Sequence, residues 1–194
     1  MKPVPTELTD KLVSASGIAA TGPGLSMSMD DLAKASGVPR ATLYYYFSGR
    51  SDLLTFYVGV MIKRMRDAVA KGLEHEGTPP ERMETLVRAV MRTFEEYPRM
   101  CVEMSVAIKF LQNYGPVMME MERGVLRPMV EIIDEGNASG EFDVKDPIVV
   151  ANAMTGGMHM VATMDIVSTG KLDAEARSDV LIPQMMGGLL ARDC

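Results

Sequence analysis

The stretch Ser28–Leu54, SMDDLAKASGVPRATLYYYFSGRSDLL, decides the fold. It divides into a short helix, a tight turn, a second short helix rich in aromatics, and the start of a third. The turn is Ser36-Gly37-Val38-Pro39. Gly37 supplies the positive φ that follows a helix end. Pro39 presets φ for the first turn of the next helix. Ser28 with Asp31 three residues on fits a capping box, Asp standing in for Glu or Gln. Leu32 and Ala33 turn inward from the first helix, and Leu43 and Phe47 do so at i, i+4 from the second. Ala41, Thr42, Tyr44 and Tyr45 are left on the outer face, with Arg40 on the first turn. A small residue, hydroxyls and an arginine on an exposed helix suit a groove and its phosphates.

The run Asp30-Asp31-Leu32-Ala33, then Gly37-Val38, then Thr42-Leu43-Tyr44-Tyr45-Tyr46-Phe47, then Leu53-Leu54, resembles the N-terminal helix-turn-helix of the TetR family of bacterial transcription regulators. The elements fall at fixed offsets, and each has a structural reason. The resemblance implies about nine helices, the first three forming a DNA-binding head, with an inducer cavity among the middle helices.

Working outward, 3.6-residue apolar spacing recurs along most of the chain and strand signals are scarce, so an all-α protein is expected. A first helix is predicted over Thr6–Ala20, with Leu8, Leu12, Ala15 and Ile18 or Ala19 inward, stopped by Gly22-Pro23-Gly24. A fourth begins near Ser51, capped by that serine, and runs to Glu76-Gly77. Thr78-Pro79-Pro80-Glu81 opens a fifth helix, which Pro98 breaks near Tyr97. A sixth covers about 99–112, and a seventh runs from Tyr114-Gly115-Pro116 through Met118, Met121, Val125, Met129 and Ile132. Asp146-Pro147 opens an eighth to about 168, and a ninth covers about 173–191. The expected division is a helix-turn-helix head over 1–50 and a ligand-binding and dimerisation bundle over 51–194. The helix 51–76 connects them.

Charge follows the same division. The total is −6, but residues 1–66 carry eight Lys/Arg and five Asp/Glu, which leaves −9 on residues 67–194. A basic head on an acidic body favours docking on phosphate in one orientation. The two cysteines, Cys101 and Cys194, lie too far apart in sequence to suggest a disulfide framework. No apolar run reaches a membrane span, and Met1-Lys2-Pro3-Val4-Pro5 lacks a signal-peptide core. A cytoplasmic protein is expected.

No catalytic constellation stands out. His75 and His159 fall on different helices, no Cys/His spacing matches a zinc site, and no glycine-rich loop follows a strand. Neither a metal nor a cofactor is expected. The expected DNA-contacting residues are Ser28, Lys34, Arg40, Ala41, Thr42, Tyr44, Tyr45, Tyr46 and Arg50. Tyr46 also flanks Leu43 and Phe47 and could equally pack at the edge of the head. Arg50 stands where the family usually has Lys, adding a fork suited to phosphate.

The chain holds 19 methionines, flexible and polarizable side chains that line adaptable apolar cavities. For the inducer cavity that the resemblance implies, the candidate lining is Met91, Phe94, Met104, Ile108, Phe110, Leu111, Tyr114, Met118, Met121 and Met158. His159 and Asn152 are possible orienting groups, and the expected effector is small and hydrophobic or aromatic. A single His in an apolar helix is more often a satisfied core residue. Gly156-Gly157 and Gly187-Gly188 each cost helix propensity and make sense where helices approach closely. With the stripe Val180, Leu181, Met185, Gly188 and Leu189 they suggest a homodimer surface. A two-fold operator would then be read by two heads. The expected function is a homodimeric regulator, a repressor released by its ligand. The alternatives are a helical ligand-binding or interaction protein that does not bind DNA, or a small helical enzyme.

Overall fold

Among the described residues, four helices begin where a side chain caps them, at Ser28, Thr78, Asp146 and Asp173. The structure, a computed structural model, describes residues 3–18, 28–74, 76–107 and 115–189. α1 spans Thr6–Ile18, α2 Met29–Ser36, α3 Arg40–Tyr46 and α4 Arg50–Leu73. α5 spans Pro79–Glu96, α6 Pro98–Ala107 and α7 Gly115–Met121. A π turn, Glu122–Leu126, joins α7 to α8 (Arg127–Ser139), and α9 (Pro147–Thr169) and α10 (Ala174–Gly187) follow. Met121, Leu126 and Arg127 all keep right-handed helical dihedrals, so α7, the π turn and α8 form one continuous rod. Among the described residues this gives nine helical rods, in line with the expected architecture.

The capping box of α2 is present: Asp31 N–H donates to Ser28 Oγ at 3.1 Å and Ser28 N–H to Asp31 Oδ2 at 3.2 Å. Gly37 follows at φ +64°. Thr78 and Glu81 close the same box on α5, and the Asp146 carboxylate caps α9 through Val149 N–H at 3.0 Å.

Four boundaries differ from expectation, one being the end of α10 at Gly187 rather than near 191. α4 starts at Arg50 with Gly49 as its uncapped N-cap, not at a Ser51 cap. Asp52 instead turns back onto Ser48, accepting its hydroxyl and its backbone N–H. Those two bonds hold the Asp52 carboxyl below its ordinary value. α4 ends at Leu73, short of Glu76. Pro98 opens α6 rather than only ending α5, since a missing N–H costs nothing in a first turn. The Gly22-Pro23-Gly24 loop, the Ile18 and Leu54 side chains, His75 and Cys194 lie outside the described residues.

The core is continuous from head to body. Leu12, Leu32, Leu43 and Phe47 are fully buried in the head, and Phe56 and Tyr57 of α4 pack with them. The buried Tyr57 hydroxyl donates to the Leu12 carbonyl at 3.0 Å, pinning α1 to α4. α5 is the central helix of the body, burying Met83, Leu86, Val87, Val90, Met91 and Phe94. On its outer side Arg88 bonds Glu84 as well as Glu175 and Asp179 of α10, and Arg82 pairs with Glu135 of α8.

At the end of α8 the chain folds back so that Glu141 and Phe142 N–H groups bond Gly136 O at 2.9 and 3.0 Å. The Phe142 ring then lies on Gly136, where an added Cβ would fall 2.1 Å from Cδ2. We expect Gly136→Ala to lower unfolding free energy by about 1–3 kcal/mol through overpacking. This exceeds the gain of roughly 1 kcal/mol in helix propensity. A urea melt checks it, and a more stable variant would contradict the packing.

Candidate nucleic-acid interface

The outer face of α3 is set by what its inner face buries. Leu43 and Phe47 are fully buried, and Phe47 lies 5.2 Å, ring centre to centre, from Phe56 of α4. With those two fixed, Arg40, Ala41, Tyr44 and Tyr45 are exposed, Tyr45 at 60% and Tyr44 at 47%. The turn before α3 is fixed by Ser36, whose hydroxyl donates to Leu32 O at 2.6 Å and accepts Val38 N–H at 3.3 Å. Lys34 is exposed on the neighbouring α2.

Several expected contact residues have structural partners, and those of Arg40 were not indicated by the sequence. Arg40 Nε lies 3.0 Å from Asp30 Oδ1 of α2. This is an ion pair without hydrogen-bond alignment, since the buried Oδ1 has no hydrogen bond. The Arg40 guanidinium carbon also sits 5.4 Å from the centre of the Tyr44 ring. Arg40 is thus oriented in advance while its side chain stays 63% exposed. The Ser28 hydroxyl donates to Asp31 at 2.6 Å and is taken up in the helix cap. Tyr46 is half-buried against the core, edge-on to Tyr45 with ring centres 5.0 Å apart. With Pro5, Leu8, Val38, Pro39 and Thr42 it lines a recess of about 300 Å³ between α1 and α3. Of its two expected roles, the edge-packing one accounts for this placement. The Arg50 side chain lies outside the described residues.

In the body, Met91, Phe94, Met121 and Met158 are buried, and Met104 is half-buried against the core. Met118 is 47% exposed, so it faces solvent rather than an interior wall. Ile108, Phe110, Leu111 and Tyr114 lie outside the described residues. His159 Nε2 sits 2.8 Å from Cys101 O and 3.4 Å from Thr163 Oγ1, and its ring lies 5.7 Å from that of Phe94. Burial lowers its pKa, which leaves the ring neutral and Nε2 donating to the carbonyl. That bond between α9 and α6 accounts for its orientation. Burial also pushes the Cys101 thiol up to about 11, so it stays protonated at neutral pH. Asn152 is exposed and donates to Ile148 O at 2.8 Å, so it orients no interior ligand.

The stripe from Val180 to Leu189, on and just after α10, is only partly an outer surface. Val180 is 61% exposed and Gly188 is exposed, whereas Leu181 and Met185 are half-buried. Leu189 is buried and its carbonyl accepts Asp143 N–H at 2.9 Å, so it closes the chain's own core. Nor do the glycines serve close helix contacts within the chain. A Cβ at Gly156 or Gly187 would meet nothing within 4 Å, and one at Gly157 only the Met185 methyl at 3.8 Å. The larger exposed apolar surface was not singled out from the sequence: Ile148, Val149, Met160, Met164 and Val167 of α9. Its signal was available, since α9 carries a single charged residue, Asp165, and is apolar nearly all round.

Among the described residues no group of three or more His, Cys, Asp or Glu could hold a metal ion. No helix among them is long and apolar enough to cross a membrane.

Known proteins match both parts of the chain. Residues 10–55 match the family model described as bacterial regulatory proteins, tetR family. Residues 76–163 match that described as tetracyclin repressor-like, C-terminal domain. The HTH-type transcriptional regulator BetI of Rhizobium meliloti (strain 1021) is 27% identical over 74 residues, 38% of this chain and 36% of that protein. The chain thus aligns with about a third of that relative's length. The crystal structure of the TetR family transcriptional regulator PfmR from Thermus thermophilus superposes with a TM-score of 0.76 at 22% identity, covering 93% of this chain and 99% of that one. The transcriptional regulator FadR from Bacillus subtilis, solved in complex with stearoyl-CoA, has a TM-score of 0.68 at 18% identity, covering 93% and 98%. With both parts of the chain matched and the fold shared end to end, this protein belongs to the TetR family of bacterial regulatory proteins.

Proposed function

We propose that the protein is a sequence-specific transcriptional regulator that binds a pseudo-palindromic operator as a homodimer and is released by a small hydrophobic or aromatic effector. The observation that carries this reading is the outer face of α3. Burial of Leu43 and Phe47 leaves Arg40, Ala41, Tyr44 and Tyr45 outward. In the major groove Ala41 would allow close approach to a base pair or a thymine methyl. Tyr44, Tyr45 and Thr42 hydroxyls, with Lys34 and Arg50, would reach phosphates. The head over residues 1–50 would read DNA, and the bundle over 51–194 would hold the effector and the second copy.

The apolar face of α9 with Val180 of α10 supports a second copy as its cover, as does the open surface at Gly156 and Gly187. The buried methionines and Phe94 support an apolar effector; an acyl chain such as the FadR structure contains would suit such a lining. An effector that favours one spacing of the two heads would change DNA affinity through α4.

The test uses the DNA immediately upstream of the protein's own gene. Binding should be sequence-dependent and weaken steeply with salt. Tyr45→Ala with Arg50→Ala should lower affinity by about 10-fold or more and flatten the salt slope. Unchanged affinity and slope in the double variant would show that DNA binds elsewhere. No salt-sensitive binding by the unaltered protein would favour the ligand-binding or interaction alternative.

A further inference from the structure

The π turn Glu122–Leu126 interrupts an otherwise continuous α-helical rod. Its chemical cause is in the sequence. Pro128 has no N–H to give the Gly124 carbonyl, and in α register its ring would press against that carbonyl. In the wider turn Arg127 N–H bonds Glu122 O, five residues back, and Pro128 falls in the first turn of α8. π turns of this kind cluster at functional positions.

What faces the turn is α4. The Arg66 stem lies directly on buried Gly124, where a Cβ would come within 2.5 Å of Arg66 Cγ, 2.7 Å of Cβ and 2.9 Å of Cδ. The Arg66 guanidinium then reaches across to Glu120 on α7 and also meets Asp67 on its own helix. At the other end α4 is fused to the head through Phe56 on Phe47 and the Tyr57 bond to Leu12. One rigid helix is therefore clamped to the head at one end and seated on the π turn further along.

We propose that the π turn is the joint that sets the attitude of α4, with Arg66 and Gly124 as positioning residues for DNA recognition by the head. It rests on the DNA-binding reading above and names how the body controls that site. Reverting the turn to α register would shift one side of the rod by about one residue, roughly 1.5 Å and 100°. Glu120 would then leave Arg66 and the seat of α4 would change. Arg66 lies sixteen residues beyond Arg50, about 24 Å along the helix. A small tilt at that seat becomes a displacement of several ångströms at α3.

Two variants with different chemistry test the joint. Gly124→Ala forces the Arg66 stem off its seat. Pro128→Ala restores an N–H for the Gly124 carbonyl and adds no bulk. Each is measured on the DNA upstream of the gene. Each is also measured without DNA, as the distance between fluorophores on cysteines replacing exposed Lys34 and Glu131, with Cys194→Ser. The expected result is a changed head-to-body distance in both variants. Affinity should fall by about tenfold or more, with helicity retained. An unchanged distance, or affinity within twofold of the parent, in both folded variants overturns the proposal. If Gly124→Ala does not fold, Pro128→Ala decides alone. If the parent binds no DNA, the DNA reading fails on its own, and the distance measurement still judges the joint.

Discussion

An Ala41→Glu protein should fold as the parent does and lose DNA affinity by about 100-fold or more. Ala41 is exposed on the first turn of α3, so the new side chain displaces nothing from the core. A carboxylate near a helix N-terminus is mildly favourable for the helix itself. Against DNA the same carboxylate would be turned to the phosphates and would hold the backbone away from the base edges. Losing one or two base contacts costs about 1–3 kcal/mol each, before any charge repulsion. The check is a pair of measurements: thermal melting, expected within a degree or two of the parent, and DNA-binding anisotropy across a salt series. Parental affinity in the folded variant would place the DNA-reading face elsewhere on the head.

Phe47→Ala should abolish DNA binding by the opposite route, through the fold. Phe47 is fully buried and is held by Leu43 on one side and Phe56 on the other. Truncating a buried Phe costs about 3–5 kcal/mol from lost burial and the cavity left behind. A stable domain has only about 5–15 kcal/mol in total, and a three-helix head holds a small share of it. The expected outcome is local. Hydrogen exchange should accelerate at Leu32 and Leu43 and stay slow at Val90 and Ile132, because α5 and α8 keep their own packing. Uniform acceleration would mean that head and body unfold together. Full protection in the head would mean that Phe47 is not its keystone.

The two variants also separate what the sequence could and could not tell. The inner and outer faces of α3 were legible because Leu43 and Phe47 fall one helical turn apart between an identifiable turn and cap. Thr78-Pro79 and Asp146-Pro147 placed two body helices for the same reason: local chemistry fixes them. The Arg40–Asp30 pair was not legible, because it depends on the angle at which α2 and α3 cross. The π turn escaped notice because Val125, Met129 and Ile132 keep their buried face through it. Periodicity absorbed an interruption that Pro128 alone advertised. Met118 and Leu189 were misplaced because an apolar residue in an amphipathic run is assigned a side by its neighbours. The first is outside and the second inside only through long-range packing. The apolar face of α9 was hard to read for a related reason. A helix apolar on all sides looks the same in sequence whether its own chain or another molecule covers it.

The bond from the Tyr57 hydroxyl to the Leu12 carbonyl bears on inheritance as well as on packing. Together with Phe56 against Phe47, it makes the beginning of α4 part of the head's own interior. A gene segment ending at residue 50 would encode a reading helix without one wall of its core. In any recombination between relatives, the DNA-reading unit can travel intact only with α4 attached. The part of the chain that must fit the body is therefore the part the head cannot leave behind, and a new pairing of head and body must solve that fit along a single helix.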